Sequence, residues 1–323
     1  MKKILITGAT GFIGSHLTEI CIQKGYKVVA FDRYNPNYNL GWLENSKYKK
    51  EIDFVFGDIR DYDSVFKSLK DCNLVFHLAA LIGIPYSYFS PQAYLKTNIE
   101  GTYNILEASK NKSIEEIIIT STSETYGTAK YVPIDEKHPL FAQSPYSASK
   151  ISADQLALSY WNSFKLPIKI IRPFNTYGPR QSGRAVIPSI IIQAINKKEI
   201  KLGNMGPSRD LTFVSDTCEA YFEILKTKKF LGQVINVGSR NEHKIEDIAK
   251  KIISKINPDA KITTDKKRIR PSNSEVERLV CNNELILKNT SWKPKVDFEK
   301  GLDLTIDWFK NFKSLFSHDI YHI

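Results

Sequence analysis

The segment at residues 4–14 constrains the fold of this chain more than any other feature of the sequence. It reads ILITGATGFIG, an apolar run followed by three glycines at a spacing of three and then by a helical pattern. Gly8 permits a tight turn, Gly11 lets the backbone approach a ligand, and Gly14 lets the helix pack close to the sheet. A pyrophosphate binds well at the positive N-terminus of such a helix. The GxxGxxG spacing therefore predicts a dinucleotide loop between a first strand and a first helix.

Apolar runs of strand length alternate with longer helical patterns through the first half of the chain. The predicted strands are Lys3–Thr7, Lys27–Phe31, Asp53–Phe56, Leu74–His77, Ile117–Thr120 and Ile168–Ile171. The predicted helices are Phe12–Lys24, Tyr62–Ser68, Pro91–Asn111 and Pro145–Phe164, followed late in the chain by Lys244–Ile256 and Gly301–Phe312. This alternation favours βαβ units. The predicted fold class is α/β, a Rossmann-type doubly wound parallel sheet with a smaller C-terminal α/β substrate lobe.

The end of the second predicted strand indicates which dinucleotide is bound. Asp32 lies at that end, where a carboxylate accepts the ribose hydroxyls and repels a 2′-phosphate. Arg33 follows directly and weakens this argument, because an arginine can receive a 2′-phosphate. The pattern favours NAD over NADP as the cofactor.

Two further strand ends are candidates for contacts with the same cofactor. Asp58 can accept a hydrogen bond from the adenine amino group, although it also suits an ordinary turn. The sequence HLAA at 77–80 offers small residues against which a cofactor can pack, or it simply ends a strand; His77 itself is predicted to be a packed histidine. The residues expected to contact NAD around these strand ends are Gly8, Thr10, Gly11, Phe12, Ile13, Gly14, Asp32, Asp58, Ile59, Leu78, Ala79 and Ala80.

Two lobes are predicted, with the boundary where the strand–helix rhythm changes. Residues 1–172 are expected to form the NAD-binding domain, and 173–323 mainly a substrate-binding lobe. A later segment at about 210–240 is expected to return to the first domain. The tail from Ser317 to Ile323 is predicted to be loosely ordered.

Composition excludes several other classes of protein. The chain is 42% hydrophobic and 25% charged, which is ordinary for a globular domain. No apolar run approaches the roughly 18 residues that a membrane helix needs. The four cysteines lie far apart without a CxxC motif, so neither a disulfide framework nor a metal site is predicted, and a cytoplasmic location is expected. The net charge of +11 comes from dispersed basic residues, which indicates a solvated surface more than a nucleic-acid site.

The motif YSASK at 146–150 supplies a candidate catalytic pair. Tyr146 and Lys150 are four residues apart at the start of a predicted helix, so they share one face. A nearby ammonium favours the phenolate and is expected to help lower the tyrosine pKa from about 10 towards 7. This spacing alone is common in helices. The hydroxyls of the STSETYG run at 121–127 follow the fifth strand, however, and should face the same crevice as the cofactor.

Five motifs together resemble the extended short-chain dehydrogenases/reductases that act on nucleotide sugars: TGATGFIG, HLAA, STSETYG, YSASK and RPFNTYGPRQ. The resemblance runs from Met1 to about Phe312. Three longer stretches, VPIDEKHPLFAQSPYSASK, RPFNTYGPRQSGRAVIPSIIIQ and SRDLTFVSDT, are similar to the 4,6-dehydratases of legionaminic-acid biosynthesis. Those enzymes act on N-acetylglucosamine linked to GDP or UDP, and the sequence leaves the nucleotide open.

The resemblance implies a role for each residue of the candidate catalytic site. Tyr146 takes the proton from the sugar 4-hydroxyl, Lys150 lowers its pKa, and both contact NAD. Thr122 hydrogen-bonds the C4 oxygen, and Glu124 removes the C5 proton. Hydride passes from C4 to NAD⁺ and returns to C6 after water leaves, which gives a 4-keto-6-deoxy sugar.

Ser123 is a departure from part of this family. Dehydratases that act on dTDP-glucose carry an aspartate here, which protonates the leaving hydroxyl, and serine is too weak an acid for that step. Uronic-acid decarboxylases share the Ser-Glu pair, so this motif alone does not separate the two reactions. A decarboxylase and a 4-epimerase therefore stay open as alternatives.

The resemblance also implies substrate contacts in the second lobe. Asn175 and Arg209 are expected to contact the diphosphate, Ile187 to line the nucleotide pocket, and Arg270 to clamp phosphate. Arg184 is a weaker candidate, and each of these arginines could instead be a solvated surface residue.

The expected partner is a nucleotide-diphosphate sugar, with neither nucleic acid nor membrane. A homodimer or higher homo-oligomer is expected, because relatives pack the helices at 91–111 and 146–164 against a second copy. The remote alternative is a non-catalytic protein that retains the NAD fold and binds RNA through its basic surface.

Overall fold

The computed structural model describes residues 1–316, so the tail Ser317–Ile323 lies outside the described residues. The strands are β1 (Lys3–Thr7), β2 (Lys27–Arg33), β3 (Ile52–Gly57), β4 (Leu74–His77), β5 (Glu116–Thr120), β6 (Ile168–Pro173), β7 (Asn175–Tyr177), β8 (Glu199–Leu202), β9 (Ser208–Phe213), β10 (Val234–Val237), β11 (Glu242–Lys244), β12 (Lys261–Thr264) and β13 (Arg278–Leu279). The helices are α1 (Phe12–Gln23), α2 (Tyr62–Ser68), α3 (Ile84–Phe89), α4 (Pro91–Tyr94), α5 (Gly101–Asn111), α6 (Pro145–Phe164), α7 (Val186–Asn196), α8 (Val214–Leu225), α9 (Ile245–Ile256), α10 (Glu284–Asn289) and α11 (Phe298–Asn311).

Seven parallel strands form the main sheet in the order β10-β6-β5-β4-β1-β2-β3. The strand order reverses direction between β1 and β4, and a crevice opens at the carboxyl ends of the strands at such a point. This arrangement confirms the predicted Rossmann-type α/β class.

Side chains of the strands alternate between two apolar layers. In β1, Ile4 and Ile6 pack in one core cluster with α1 and α8, whereas Leu5 packs in the other with α2, α5 and α6. The same alternation recurs in β5, where Ile118 faces the first layer. Strands that are apolar on both faces are typical of a buried parallel sheet.

The second half of the chain divides its elements between this sheet and smaller ones. Strand β10 pairs with β6, so the segment predicted to return contributes the seventh strand of the main sheet. Strand β9 pairs with β7, β11 and β13, and β8 pairs with β12. The division into lobes at residue 172 stays a prediction.

Two features of the helices differ from the expectation. The predicted helix at 91–111 continues from α4 through a π-helical stretch, Leu95–Glu100, into α5. Helices α7 and α8 lie in a region whose glycines and prolines suggested only short pieces. Pro188 is tolerated because it lies in the first turn of α7, where its missing N–H would have no helical partner.

Over residues 1–316, no helix combines the length and apolar character that crossing a membrane requires.

Candidate active site

The glycine loop after β1 meets the loop after β4 at the point where the strand order reverses. Gly8 has φ +71°, and a methyl group added to it would lie 3.0 Å from the backbone of Ala79. A methyl group on Gly14 would lie 2.1 Å from the Gly8 carbonyl oxygen. Only glycine fits at these two positions, which leaves backbone exposed at the start of α1, as the GxxGxxG spacing predicts.

Asp32 is held against the glycine loop. Its Oδ2 accepts hydrogen bonds from the backbone N–H of Thr10 (3.0 Å) and from the Thr10 hydroxyl, and its Oδ1 accepts one from the N–H of Arg33 (2.8 Å). The carboxylate is thus fixed at the end of β2 beside the predicted cofactor loop. Phe12 and Ile13 begin α1 and are half-buried.

The other predicted cofactor residues lie at the ends of β3 and β4. The Asp58 carboxylate pairs with the Arg60 guanidinium, with an Nε–Oδ1 distance of 2.9 Å, and this pairing lowers the Asp58 pKa. Ile59 is buried, whereas the three residues at 78–80 are half-buried. The N–H groups of Leu78 and Ala79 both donate to the Thr7 hydroxyl at 3.1 Å, so this strand end has a fixed shape.

Tyr146 and Lys150 lie on one face of α6, and the end of β5 lies against them. Ser144 caps this helix by accepting a hydrogen bond from the N–H of Ser147 at 3.1 Å. Thr122 follows β5 and forms a hydrogen bond with the Tyr146 phenol. Lys150 donates from Nζ to the carbonyl oxygen of Thr120 at 2.6 Å. The structure therefore brings Thr122, Tyr146 and Lys150 together.

The expected lowering of the Tyr146 pKa is not found among the protein groups. Burial raises the pKa of Tyr146 well above its usual value, and the hydrogen bond with Thr122 offsets this only in part. Lys150 is itself buried, which lowers its pKa, although the charge of Asp154 opposes that effect. Desolvation thus outweighs the electrostatic help that the sequence predicts.

Ser123 and Glu124 follow Thr122 in a short 3₁₀ turn, Ser123–Tyr126. Ser123 is buried, and the backbone N–H of Glu124 donates to the Thr122 hydroxyl at 3.2 Å. Burial raises the pKa of Tyr146 and lowers that of Arg209, and the negative charge of Glu124 adds to the first shift and opposes the second. The Glu124 carboxylate therefore acts electrostatically on both the tyrosine and the predicted phosphate-binding arginine.

Two of the predicted substrate arginines converge on one carboxylate. Arg209 is buried at the start of β9, and its guanidinium nitrogen lies 3.6 Å from Oε1 of Glu275. Arg270 is half-buried and donates to the same oxygen at 3.4 Å. A cavity of about 520 Å³ adjoins Arg270 and Glu275, and its lining consists of Gly203, Asn204, Met205, Gly206, Thr264, Ile269, Arg270, Ser272, Glu275 and Glu277.

The remaining predicted substrate residues have different surroundings. Oδ1 of Asn175 is buried and makes no hydrogen bond within residues 1–316. Ile187 is 1% exposed and packs in the core of α7 rather than along the cavity. Arg184 is exposed and contacts the Ser182 hydroxyl at 3.4 Å.

The family comparison decides between the classes of protein that share this fold. The model of the GDP-mannose 4,6 dehydratase family matches residues 5–305. The chain belongs to this family. The match confirms the resemblance to extended short-chain dehydrogenases/reductases that act on nucleotide sugars, because that family lies within this superfamily.

Members of this family with different activities are similar to the chain. A trifunctional UDP-glucose 4,6-dehydratase, epimerase and reductase of Arabidopsis thaliana is 33% identical over 317 residues, which are 95% of the chain but 47% of that relative. The structure of dTDP-glucose 4,6-dehydratase from Bacillus anthracis, in complex with NAD, has a TM-score of 0.85 at 30% identity and covers 97% of this chain and 98% of its own. The structure of UDP-glucuronic acid 4-epimerase from Bacillus cereus, in complex with UDP-glucuronic acid and NAD, has a TM-score of 0.88 at 30% identity. The match covers 96% of this chain and 99% of the epimerase chain.

Sequence reasoning missed two residues whose contacts shape the candidate site. Asn98, in the π-helical stretch, exchanges hydrogen bonds of 2.9 Å with the backbone of Leu81 and donates to the Ser149 hydroxyl at 2.9 Å. It thereby ties the loop after β4 to α6. Glu275, which lies close to both Arg209 and Arg270, is the second missed residue. Neither an asparagine inside a helical pattern nor a glutamate in a loop gives a local sequence signal of such contacts.

Proposed function

We propose that the protein is an NAD-dependent 4,6-dehydratase that converts GDP- or UDP-linked N-acetylglucosamine to its 4-keto-6-deoxy derivative, in the biosynthesis of a nonulosonic acid such as legionaminic acid. The observation that carries the proposal is the place of Glu124, which follows Thr122 in the 3₁₀ turn and whose backbone carbonyl accepts a hydrogen bond from the Ser147 hydroxyl of α6 at 2.7 Å. A dehydratase needs a base for the C5 proton beside the C4 acid–base tyrosine, whereas a 4-epimerase does not. A carboxylate is suited to that task.

The chain's own residues fit a dinucleotide. The cradle at Gly8 and Gly14 has no room for a Cβ, and the Asp32 carboxylate is held at the end of β2. The glycine loop would bind the pyrophosphate, and Asp32 would bind the adenosine ribose. Residues 58–59 would contact the adenine, and residues 78–80 would pack against the cofactor. When bound, NAD would supply reversible hydride transfer to and from the sugar, and its oxidised form would add positive charge to the site.

Tyr146, Thr122 and Lys150 would carry the first step. The Tyr146 phenolate takes the proton of the 4-hydroxyl, and Thr122 keeps a hydrogen bond to the C4 oxygen. Lys150 holds the nicotinamide ribose and adds positive charge. Since burial raises the Tyr146 pKa, the phenolate depends on these cationic neighbours in the complex.

Glu124 and Ser123 would carry the elimination. The C4 ketone acidifies the C5 proton, Glu124 removes it, and the hydroxyl at C6 leaves as water. Ser123 is buried. Its proposed role is to orient the departing hydroxyl or to relay a proton to it.

Arg209, Arg270 and Asn175 would bind the diphosphate. A guanidinium donates two parallel hydrogen bonds to phosphate, and Asn175 would donate from its side-chain N–H groups, because its buried amide oxygen only accepts. The cavity beside Arg270 offers room for the nucleoside. Arg184 and Ile187 are kept as secondary candidates for the substrate end.

A 4-epimerase is the second candidate, favoured by the likeness to the Bacillus cereus enzyme, and a uronic-acid decarboxylase shares the Ser-Glu pair. Incubation with GDP- and UDP-N-acetylglucosamine, and in parallel with UDP-glucuronic acid, followed by chromatography and mass spectrometry, separates these reactions. A dehydratase product loses the mass of one water, and an epimerase product keeps the substrate mass. A decarboxylase acts only on a uronic acid and loses the mass of carbon dioxide.

We also propose a cytoplasmic homodimer or higher homo-oligomer without nucleic-acid binding. Size-exclusion chromatography with light scattering tests the assembly. Filter binding of RNA at low and moderate salt tests the non-catalytic alternative, since contacts with phosphates weaken steeply as salt rises.

A further inference from the structure

One carboxylate serves both arginines that are proposed to bind the diphosphate. Oε1 of Glu275 lies 3.6 Å from Arg209 and 3.4 Å from Arg270. Close charge-assisted hydrogen bonds are shorter, at about 2.7–2.9 Å. The carboxylate is therefore shared between two cations and is not held tightly by either.

The two arginines carry more positive charge than Glu275 neutralises. Arg209 is 7% exposed. Its burial lowers its pKa, the neighbouring charge of Arg270 lowers it further, and the charges of Glu124, Glu275 and the solvent-exposed Glu277 oppose both effects. Glu124 is proposed to serve the sugar. Near Glu275, the site consequently retains positive charge that a further anion can neutralise.

The main chain at Glu275 is fixed by contacts from elements around the site. Its carbonyl oxygen accepts hydrogen bonds from Gln143 Nε2 (3.3 Å) and from Thr128 Oγ1 (3.5 Å). The Ser274 hydroxyl donates to the Gln143 carbonyl at 2.5 Å and pairs with the Tyr88 hydroxyl at 2.6 Å. The side chain, in contrast, borders the cavity of about 520 Å³. It can rotate towards this space while its backbone stays in place.

We propose that Glu275 is a displaceable counter-ion, which holds Arg209 and Arg270 together in the free protein and releases them to the diphosphate of the substrate. The inference rests on the proposed function, since it takes the diphosphate to bind at these arginines. Carboxylate and phosphate engage the same fork of guanidinium donors, so the exchange needs little movement of the arginines. Because the displaced carboxylate still repels phosphate, Glu275 weakens nucleotide binding and speeds product release.

Neutral variants at position 275 test this role. Glu275→Gln removes the charge and nearly keeps the shape of the side chain. Glu275→Ala removes both the charge and most of the side chain. Titration calorimetry on the full chain, as purified with its cofactor, measures the Kd of UDP, GDP and inorganic pyrophosphate at two salt concentrations. We expect Glu275→Gln to bind the preferred probe roughly tenfold more tightly and with a steeper salt dependence.

Glu299→Gln is the matched control. Glu299 is exposed on α11, pairs with Lys251 and Lys255, and does not line the cavity. Because its charge is screened by solvent, this variant should change the Kd by less than about twofold. Thermal unfolding of each variant confirms that the proteins compared are folded.

The alternative is that Glu275 is a strut that only orients the arginines. In that case both neutral variants bind the probes more weakly than the parent protein. Weaker or unchanged binding by the folded variants overturns the inference and leaves the proposed function standing. If the parent protein binds none of the three probes, the proposed function and the inference fail together.

Discussion

Tyr146 is a buried phenol whose hydroxyl partner, Thr122, follows the neighbouring strand. Tyr146→Phe keeps the ring and its packing but removes the group that exchanges the proton. We expect turnover of the nucleotide sugar to fall roughly 10²- to 10⁴-fold, the usual contribution of a general acid–base group, while NAD stays bound. Steady-state kinetics and the NAD content of the purified variant measure the two effects.

Tyr160→Phe is the control for this substitution, because Tyr160 lies on the same helix and donates its hydroxyl hydrogen to Glu107 at 2.8 Å. It should retain activity close to that of the parent. Activity of Tyr146→Phe within a few-fold of the parent would remove Tyr146 from the acid–base role.

Glu124 distinguishes elimination from simple oxidation. Glutamine is nearly isosteric with glutamate but does not accept the C5 proton. The Glu124→Gln variant should therefore still oxidise C4, so that NADH absorbance accumulates on addition of substrate. In the parent enzyme NADH should be transient, and product formed in D₂O should carry deuterium at C5.

Two outcomes contradict this assignment: an unlabelled C5 in the parent product, or dehydration by Glu124→Gln at nearly the parent rate. Ser123→Ala addresses the leaving group separately. If Ser123 orients or protonates the departing hydroxyl, this variant stalls after C4 oxidation. If water performs that step, the loss of activity is mild.

At the scale of elements, a buried ion pair joins helix α6 to strand β6 and to the residue that follows β5. Oδ2 of Asp154 accepts hydrogen bonds from Arg172 (2.6 Å) and from the Ser121 hydroxyl (2.5 Å), and all three side chains are buried. Asp154→Asn leaves the Arg172 charge unpaired. Breaking a buried pair in this way costs about 3–5 kcal/mol of stability. Urea unfolding, with Glu246→Gln as an exposed control that should hardly change stability, measures the difference.

If Asp154→Asn unfolds at the same urea concentration as the parent, the ion pair does not stabilise the fold. If the ion pair does stabilise it, the loss of stability should be accompanied by weaker retention of NAD, because Tyr146 and Lys150 lie on the helix that the pair holds in place.

The elements themselves follow largely from local sequence. Strands β1 and β4 and helix α6 begin and end where the apolar runs, the Ser144 cap and Pro145 predict. Helices α7 and α8 were not predicted, because glycines and prolines nearby suggested loops. The apolar face of α7 is explained only by its packing against α9 and β8, and that of α8 by its packing against α1 and the main sheet. Local patterns thus predict elements well where caps and periodicity agree.

The site is predictable only in part, for a similar physical reason. The residues at 8–14, Asp32, Tyr146 and Lys150 belong to short motifs whose geometry is local. The contact of Glu275 with Arg209 joins positions 66 residues apart, and the charge effect of burial on Tyr146 depends on the whole fold. No window of sequence contains that information.

At the scale of the whole molecule, the burial of His77 in its neutral form predicts that the protein loses stability in acid. It lies under the cofactor loops, where Nδ1 is 2.8 Å from the Thr7 hydroxyl and Nε2 is 3.2 Å from the Thr102 hydroxyl. Thr7 already accepts two backbone N–H groups, so its own hydrogen is donated to Nδ1, and the imidazole is neutral. Burial lowers the pKa of His77 to about 3.

The sign of the effect follows from proton binding by the two states. In the unfolded chain a histidine binds a proton below about pH 6.5, whereas His77 in the folded protein stays neutral down to about pH 3. The unfolded state therefore binds more protons between these limits. The contribution of neutral His77 to the free energy of unfolding is therefore lost as the pH falls, at up to about 1.4 kcal/mol per pH unit. Buried acids with raised pKa values, such as Asp210, act in the opposite sense.

Comparison of His77→Asn with the parent isolates this contribution, because all other titrating groups are common to both. We expect the variant to be less stable than the parent at pH 7 but to lose less stability between pH 7 and pH 5, by about 2 kcal/mol, in urea unfolding. Thr102→Val is the control: it removes one hydrogen-bond partner and keeps the imidazole, so its stability should fall with pH as steeply as that of the parent. Equal pH dependence in His77→Asn and the parent would mean that His77 is already protonated in the folded protein, or accessible to water, at pH 5.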